Sequence, residues 1–99
     1  MLFAISMIDR PHSEELREVT TNAHQAYVMA ATDGMYLGGP LLADDGKTMV
    51  GSLIIKEFAD RAEAQAFIEA EPYNAAGLFE SVTIRRFGPV VLPAGASRP

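Results

Sequence analysis

Residues 35–58 read MYLGGPLLADDGKTMVGSLIIKEF, and this stretch decides the fold. Met35 to Leu42 suits a strand. Gly38, Gly39 and Pro40 make it irregular, as at a bulge or a sheet edge. ADDGK at 43–47 is a turn, because Asp-Gly is a strong hairpin signal. Thr48 to Phe58 is the returning strand, with Val50, Ser52, Ile54 and Lys56 on one side and Met49, Leu53 and Ile55 on the other.

Working outward from this hairpin, each flank carries a helix and then a strand. Upstream, helical spacing runs from Ser13 to about Asp33. Ser13 is the expected N-cap, and Glu14 and Glu15 suit the first turn. Leu16, Val19, Ala23, Ala26, Tyr27 and Ala30 follow the three-to-four repeat of a buried stripe. Gly34 fits the left-handed residue that ends a helix. Before this helix lies LFAISMI at 2–8, bounded by Asp9, Arg10 and Pro11, which suits a strand buried on both faces.

Downstream, Asp60 followed by Glu63 is a capping-box variant that opens a second helix. Its expected apolar face is Ala62, Ala66, Phe67 and Ala70, and Pro72 ends it. Tyr73 to Leu78 has room for one more turn, and Ser81 to Phe87 alternates as a fourth strand. The order β-α-β-β-α-β predicts an α+β, ferredoxin-like domain: an antiparallel sheet with helices on one face. The folded domain is expected over residues 1–91, with a flexible tail at 92–99 that is rich in Pro, Gly and Ala.

Ninety-nine residues make one small domain. Chains this short bury a modest share of their surface, so the open sheet face predicts a homodimer, with Ile5, Met7, Ile54 and Ile84 as its apolar contact. With 48% hydrophobic and 21% charged residues, the composition is that of an ordinary globular protein. The absence of cysteine excludes disulfides and Cys-ligated zinc. The net charge of −5, with only Arg85 and Arg86 adjacent, argues against a nucleic-acid surface. The apolar run near the N-terminus is too short for a signal peptide or membrane span, so a cytoplasmic protein is expected.

Nucleotide-binding loops and the Gly-x-Ser-x-Gly elbow are absent. His12 and His24, without a third strong ligand nearby, do not make a metal site, and His12 is expected to be solvated. His24 is the residue to watch. Arg17 lies two turns earlier on the same helix face, with Thr20, Thr21 and Val28 nearby. Such a line is either a solvated polar face or the wall of a cleft. Glu71 immediately precedes Pro72 and Tyr73, which restricts its backbone and therefore its side-chain directions. Glycines at 38, 39 and 51 permit close approach to a ligand, or simply a bulge.

Together, Arg17, His24, Gly39-Pro40, Gly51-Ser52, Pro72-Tyr73 and Ala76-Gly77 resemble the YCII-related (YciI-like) family. The resemblance implies a dimeric α+β barrel and a site centred on a histidine–aspartate dyad. His24 matches the family histidine. Glu71 stands where the family aspartate precedes the proline, which keeps the charge and adds one methylene. The resemblance also offers Arg17, Ser52, Asp9, Pro72 and Tyr73 as substrate-binding positions, with dehydrochlorination of a hydroxylated aromatic ring as the family's known activity.

The expected function is therefore a small cofactor-independent enzyme, of lyase, isomerase or dehalogenase type. His24 would act as general base or acid, and Glu71 would orient it. Arg17 and Ser52 would stabilise the oxygen that becomes negative. The competing reading is a non-catalytic dimer that holds a small anionic or phenolic molecule with Arg17.

Overall fold

A computed structural model describes residues 1–88, 91 and 93–96. Residues 89 and 90, just before the expected domain end at 91, and residues 92 and 97–99 of the expected tail lie outside the described residues. The chain runs β1 (Leu2–Asp9), α1 (Glu14–Met29), β2 (Met35–Leu42), β3 (Met49–Glu57), α2 (Arg61–Glu69), α3 (Pro72–Ala75) and β4 (Phe79–Arg86). The strands form one antiparallel sheet in the order β2-β3-β1-β4. This is the ferredoxin-like split βαβ arrangement that the element order predicts.

The register assigns the two sheet faces. Ile5 pairs with Ile54 and Ile84, and Met7 with Ser52 and Val82. These side chains share one face, and there they meet Leu16 of α1, Ala64, Phe67 and Ile68 of α2, and Tyr73 of α3. The helices therefore cover one face, as expected. Ile5, Met7 and Ile54 are at most 4% exposed, and Ile84 packs against their cluster. They form the chain's own core and are not free for a partner, which corrects the expected dimer contact. The opposite face carries Ala4, Ser6 and Ile8 of β1, Leu53 and Ile55 of β3, and Leu37 and Leu41 of β2.

The hairpin contains a bulge. Leu41 pairs with Gly51 but Leu42 pairs with Met49, so Val50 has no partner opposite. The extra residue turns Met49 toward the same side as Ser52, where its sulfur meets Arg17. Simple alternation placed it on the other side. Gly51 is required by close approach, since a Cβ there would lie 2.2 Å from the Met7 carbonyl oxygen.

Both long helices bury only part of the face their apolar residues predict: Leu16, Tyr27 and Phe67 of it are half-buried, and the rest of the inward face is different. In α1 the inward line is Arg17, Thr21, His24 and Val28, whereas Val19 is 72% exposed and Ala23 and Ala26 face outward. In α2 the buried residues are Ala64 and Ile68, and Ala62, Ala66 and Ala70 are exposed. Alanine has little area to bury, so a stripe built largely of alanines exerts a weak pull on the helix. The polar line of α1 finds hydrogen-bond partners inside, which removes the penalty for burying it.

Smaller features also differ. The N-cap position of α1 is Ser13, but its hydroxyl donates back to the Arg10 carbonyl and caps no helical N–H. The helix ends at Met29, four residues short of expectation. Gly34, at φ 75°, turns the chain into β2. Asp60 caps α2 as predicted, accepting from Glu63 N at 2.8 Å. His12 is exposed, as expected, and unusual in its positive φ of 59°.

Candidate functional site

Between α1, α3 and the helix-covered face of the sheet lies a cavity of about 240 Å³. This is slightly below the usual size of a pocket for a drug-sized ligand, and it suits a molecule of roughly one ring. Met7, Ile54 and Phe79 supply apolar walls, and the Gly38-Gly39-Pro40 segment, which pairs in regular register despite the expected irregularity, closes one side. The polar groups are Arg17, Thr21, His24 and Gln25 from α1, Ser52 from β3, and Glu71 and Tyr73 from the segment after α2.

His24 and Glu71 meet directly: Nδ1 lies 2.5 Å from Oε1. Glu71 is 1% exposed and the His24 side chain 21%. The other Glu71 oxygen accepts from Asn74 N at 3.3 Å, because Glu71 is the N-cap of α3 and Pro72 occupies its first turn. An ionised carboxylate only accepts, and against one the ring N–H lies on Nδ1. Nε2 makes no hydrogen bond among the described residues. In neutral His24 its lone pair is therefore available to an occupant of the cavity.

The Tyr73 ring completes the histidine's surroundings. It stacks on His24 at 4.1 Å between centroids and 19° between planes. The Arg17 guanidinium lies 4.5 Å from the same ring. Arg17 and His24 are seven residues apart, about 10.5 Å along the helix, so the ring fits between them like a wedge. The Tyr73 hydroxyl meets Thr21 Oγ1 at 3.0 Å.

Arg17 is held largely by the protein through Nε and Nη2, while Nη1 reaches only the Met49 sulfur at 3.9 Å. Its Nε and Nη2 donate to the two oxygens of Asp9 at 2.7 and 3.0 Å. Nη2 also reaches the Gly51 carbonyl at 2.9 Å and Ser52 Oγ at 3.1 Å. Burial opposes the guanidinium charge, but the hydrogen bonds and charge of Asp9, and then Tyr73, hold Arg17 above the ordinary arginine value. Each side chain of this ion pair is 8% exposed. Because Ser52 Oγ accepts from Arg17, its own O–H remains to donate elsewhere, and Ser52 lines the cavity.

The structure thus gathers His24, Glu71, Arg17, Ser52 and Tyr73 around one cavity. Asp9 and Pro72 do not line it. Asp9 is occupied by Arg17 and borders a separate shallow hollow, while Pro72 sets the direction of α3. Thr21, Gln25 and Met49 are wall residues that the sequence reading did not single out as sites. Thr21 was detectable, since it lies on the line from Arg17 to His24. Met49 was hidden by the bulge at Val50.

Fold and cavity together define a ferredoxin-like α+β protein with a histidine–carboxylate contact at a cavity of about 240 Å³. The chain belongs to the YCII family: the YCII-related domain matches residues 1–88. The protein YciI of Escherichia coli O6:H1 (strain CFT073) is 34% identical over 94 residues, spanning 88% of this chain and 96% of that protein. The Shigella flexneri YciI gives the same figures. Among solved structures, the 5-chloro-2-hydroxyhydroquinone dehydrochlorinase TftG from Burkholderia phenoliruptrix AC1100, in complex with 2,5-dihydroxybenzoquinone, matches with a TM-score of 0.81 and 35% identity. The match covers 88% of this chain and 93% of that one. An antibiotic biosynthesis monooxygenase shares the fold alone, with a TM-score of 0.51 and 14% identity over 90% of this chain and all of the other. No helix among the described residues is long and apolar enough to cross a membrane.

Proposed function

We propose that this protein is a cofactor-independent enzyme in which His24, oriented by Glu71, moves protons on a small hydroxylated ring. The observation that carries this reading is the Nδ1–Glu71 contact of 2.5 Å, which leaves Nε2 unpartnered at a cavity of one-ring size. The similarity to a dehydrochlorinase solved with a dihydroxybenzoquinone supports the same substrate class.

The chemistry follows from the donors and acceptors. An imidazole is the side chain suited to accept and return a proton near neutral pH. Glu71 fixes the Nδ1–H tautomer and stabilises the imidazolium that forms. For a chlorinated hydroxyhydroquinone, His24 takes a hydroxyl proton and returns it to the ring carbon that bears chlorine. It then takes a second hydroxyl proton as chloride leaves with the C–Cl electron pair. The net change is loss of HCl, and no electron acceptor is needed. Ser52 donates to the ring oxygen that becomes negative. Arg17, neutralised by Asp9, acts by holding Ser52 and Tyr73. This gives Arg17 a supporting role beside the anion-binding one expected from sequence, for which Nη1 keeps its donors.

The active unit is a homodimer in this reading. A second copy would cover the sheet face that carries Ile8, Leu37, Leu41 and Leu53.

The test is turnover of 5-chloro-2-hydroxyhydroquinone, followed by chloride release. His24→Ala is expected to lower the rate about 10²–10⁴-fold with the fold intact, the usual contribution of a positioned base. Glu71→Gln is expected to lower it less and to change the pH profile. Unchanged chloride release in His24→Ala would remove the reading.

A further inference from the structure

We infer that Thr21 and Tyr73 are positioning residues for His24, acting as a lock on the plane of its ring; this rests on His24 being the base proposed above. One hydrogen bond at Nδ1 fixes a single edge of an imidazole. It leaves the ring able to tilt about that contact, and tilting would swing Nε2 across the cavity. The Tyr73 face, 4.1 Å away and 19° from parallel, removes that freedom.

Tyr73 can serve in this way only if it is itself held. Its ring is 2% exposed and backed by Phe79 edge-on at 6.0 Å. Its hydroxyl lies 3.0 Å from Thr21 Oγ1. Thr21 donates its own hydrogen to the Arg17 carbonyl, one turn back at 2.8 Å. A hydroxyl has one hydrogen to give, so in the Tyr73 contact Thr21 accepts and Tyr73 donates. The Tyr73 proton is thereby committed to the protein, which removes Tyr73 as an acid toward the ligand and makes it a fixed platform.

The sequence explains why these parts meet. Thr21 stands four residues after Arg17 and three before His24, so all three project from one face of α1. Glu71 and Tyr73 are two apart in the chain. One short segment therefore grips the imidazole at its edge and on its face.

The experiment follows the His24 ring by nitrogen-15 and proton NMR across pH, on the full-length labelled protein, with circular dichroism as the check on folding. Thr21→Val removes the acceptor at nearly constant shape. Tyr73→Phe removes the donor and keeps the platform. Each is expected to broaden or abolish the Nδ1–H resonance and to shift the His24 titration midpoint in the same direction, and the double variant is expected to add nothing further. Thr21→Ser, which keeps the hydroxyl, is expected to restore the signal lost in Thr21→Val. If either folded variant keeps both resonance and midpoint, the inference is overturned. If His24→Ala retains turnover while these shifts occur, the general-base reading falls and the positioning stands.

Discussion

At the scale of single residues, the site is built from groups whose partners are already assigned. No buried side-chain nitrogen or oxygen among the described residues lacks a hydrogen-bond partner. Arg17 illustrates the consequence: a cation that sequence reading offers as a substrate clamp is bound to Asp9, a carbonyl and Ser52. Among the polar groups that line the cavity, His24 Nε2, the Ser52 O–H, Arg17 Nη1 and the Gln25 amide keep hydrogen-bonding capacity. Gly51 matters for a different reason. It brings its carbonyl to Arg17 while its Cα passes the Met7 carbonyl of β1. Gly51→Ala forces β1 and β3 apart at the point that carries Ser52. It is expected to cost about 1–3 kcal/mol in urea unfolding, as other overpacked interiors do. A variant as stable as the unsubstituted protein would show that the strands yield there without strain.

At the scale of elements, α1 is held by polar contacts where a helix is usually held by an apolar stripe. Arg17 ties it to β1 and β3, His24 to the Glu71 cap of α3, and Tyr27 to the end of α2 by donating to the Phe67 carbonyl at 2.7 Å. Burial, and then the charge of Glu71, raise the Tyr27 hydroxyl above its usual value of 10.0. A raised value in the folded state means that folding favours the protonated phenol. The sign follows: the Tyr27 contribution is complete below about pH 10, where the unfolded chain also keeps the proton, and it is lost as pH climbs through the raised folded value. The stability advantage of the unsubstituted protein over Tyr27→Phe is therefore expected to shrink as pH rises above about 10. Thermal unfolding of the pair, compared at each pH, reads it. A constant difference would mean that the Phe67 contact does not couple to ionisation.

At the scale of the whole molecule, one sheet face is covered by three helices and the other is open. Ile8 is 41% and Leu37 46% exposed there, beside half-buried Leu41 and Leu53. A chain of this size gains from covering such a face, and closed symmetric pairing is the common solution. The homodimer proposed above is expected to sediment at about twice the 10.7 kDa of the chain. Leu53→Arg, which places a charge at the centre of the open face, is expected to sediment as the monomer. A monomer at micromolar concentration without any substitution would refute the pairing.

The boundary between sequence and structure falls along a physical line. Element order, the Asp-Gly turn, the Asp60 cap and the ferredoxin-like arrangement were legible because they depend on near neighbours in the chain. Capping, turn geometry and strand alternation act over two to four residues. The pairing of His24 with Glu71 could be anticipated only through family resemblance, since 47 residues separate the two. Only Leu16 and Tyr27 of the apolar stripe of α1 face inward, because periodicity ranks residues by apolarity and cannot see partners waiting on other strands. The tertiary structure decided the inward face. It placed Asp9, Gly51, Ser52, Tyr73 and Glu71 where Arg17, Thr21 and His24 needed them, and a polar line with partners is buried at little cost, whereas an alanine stripe gains little from burial.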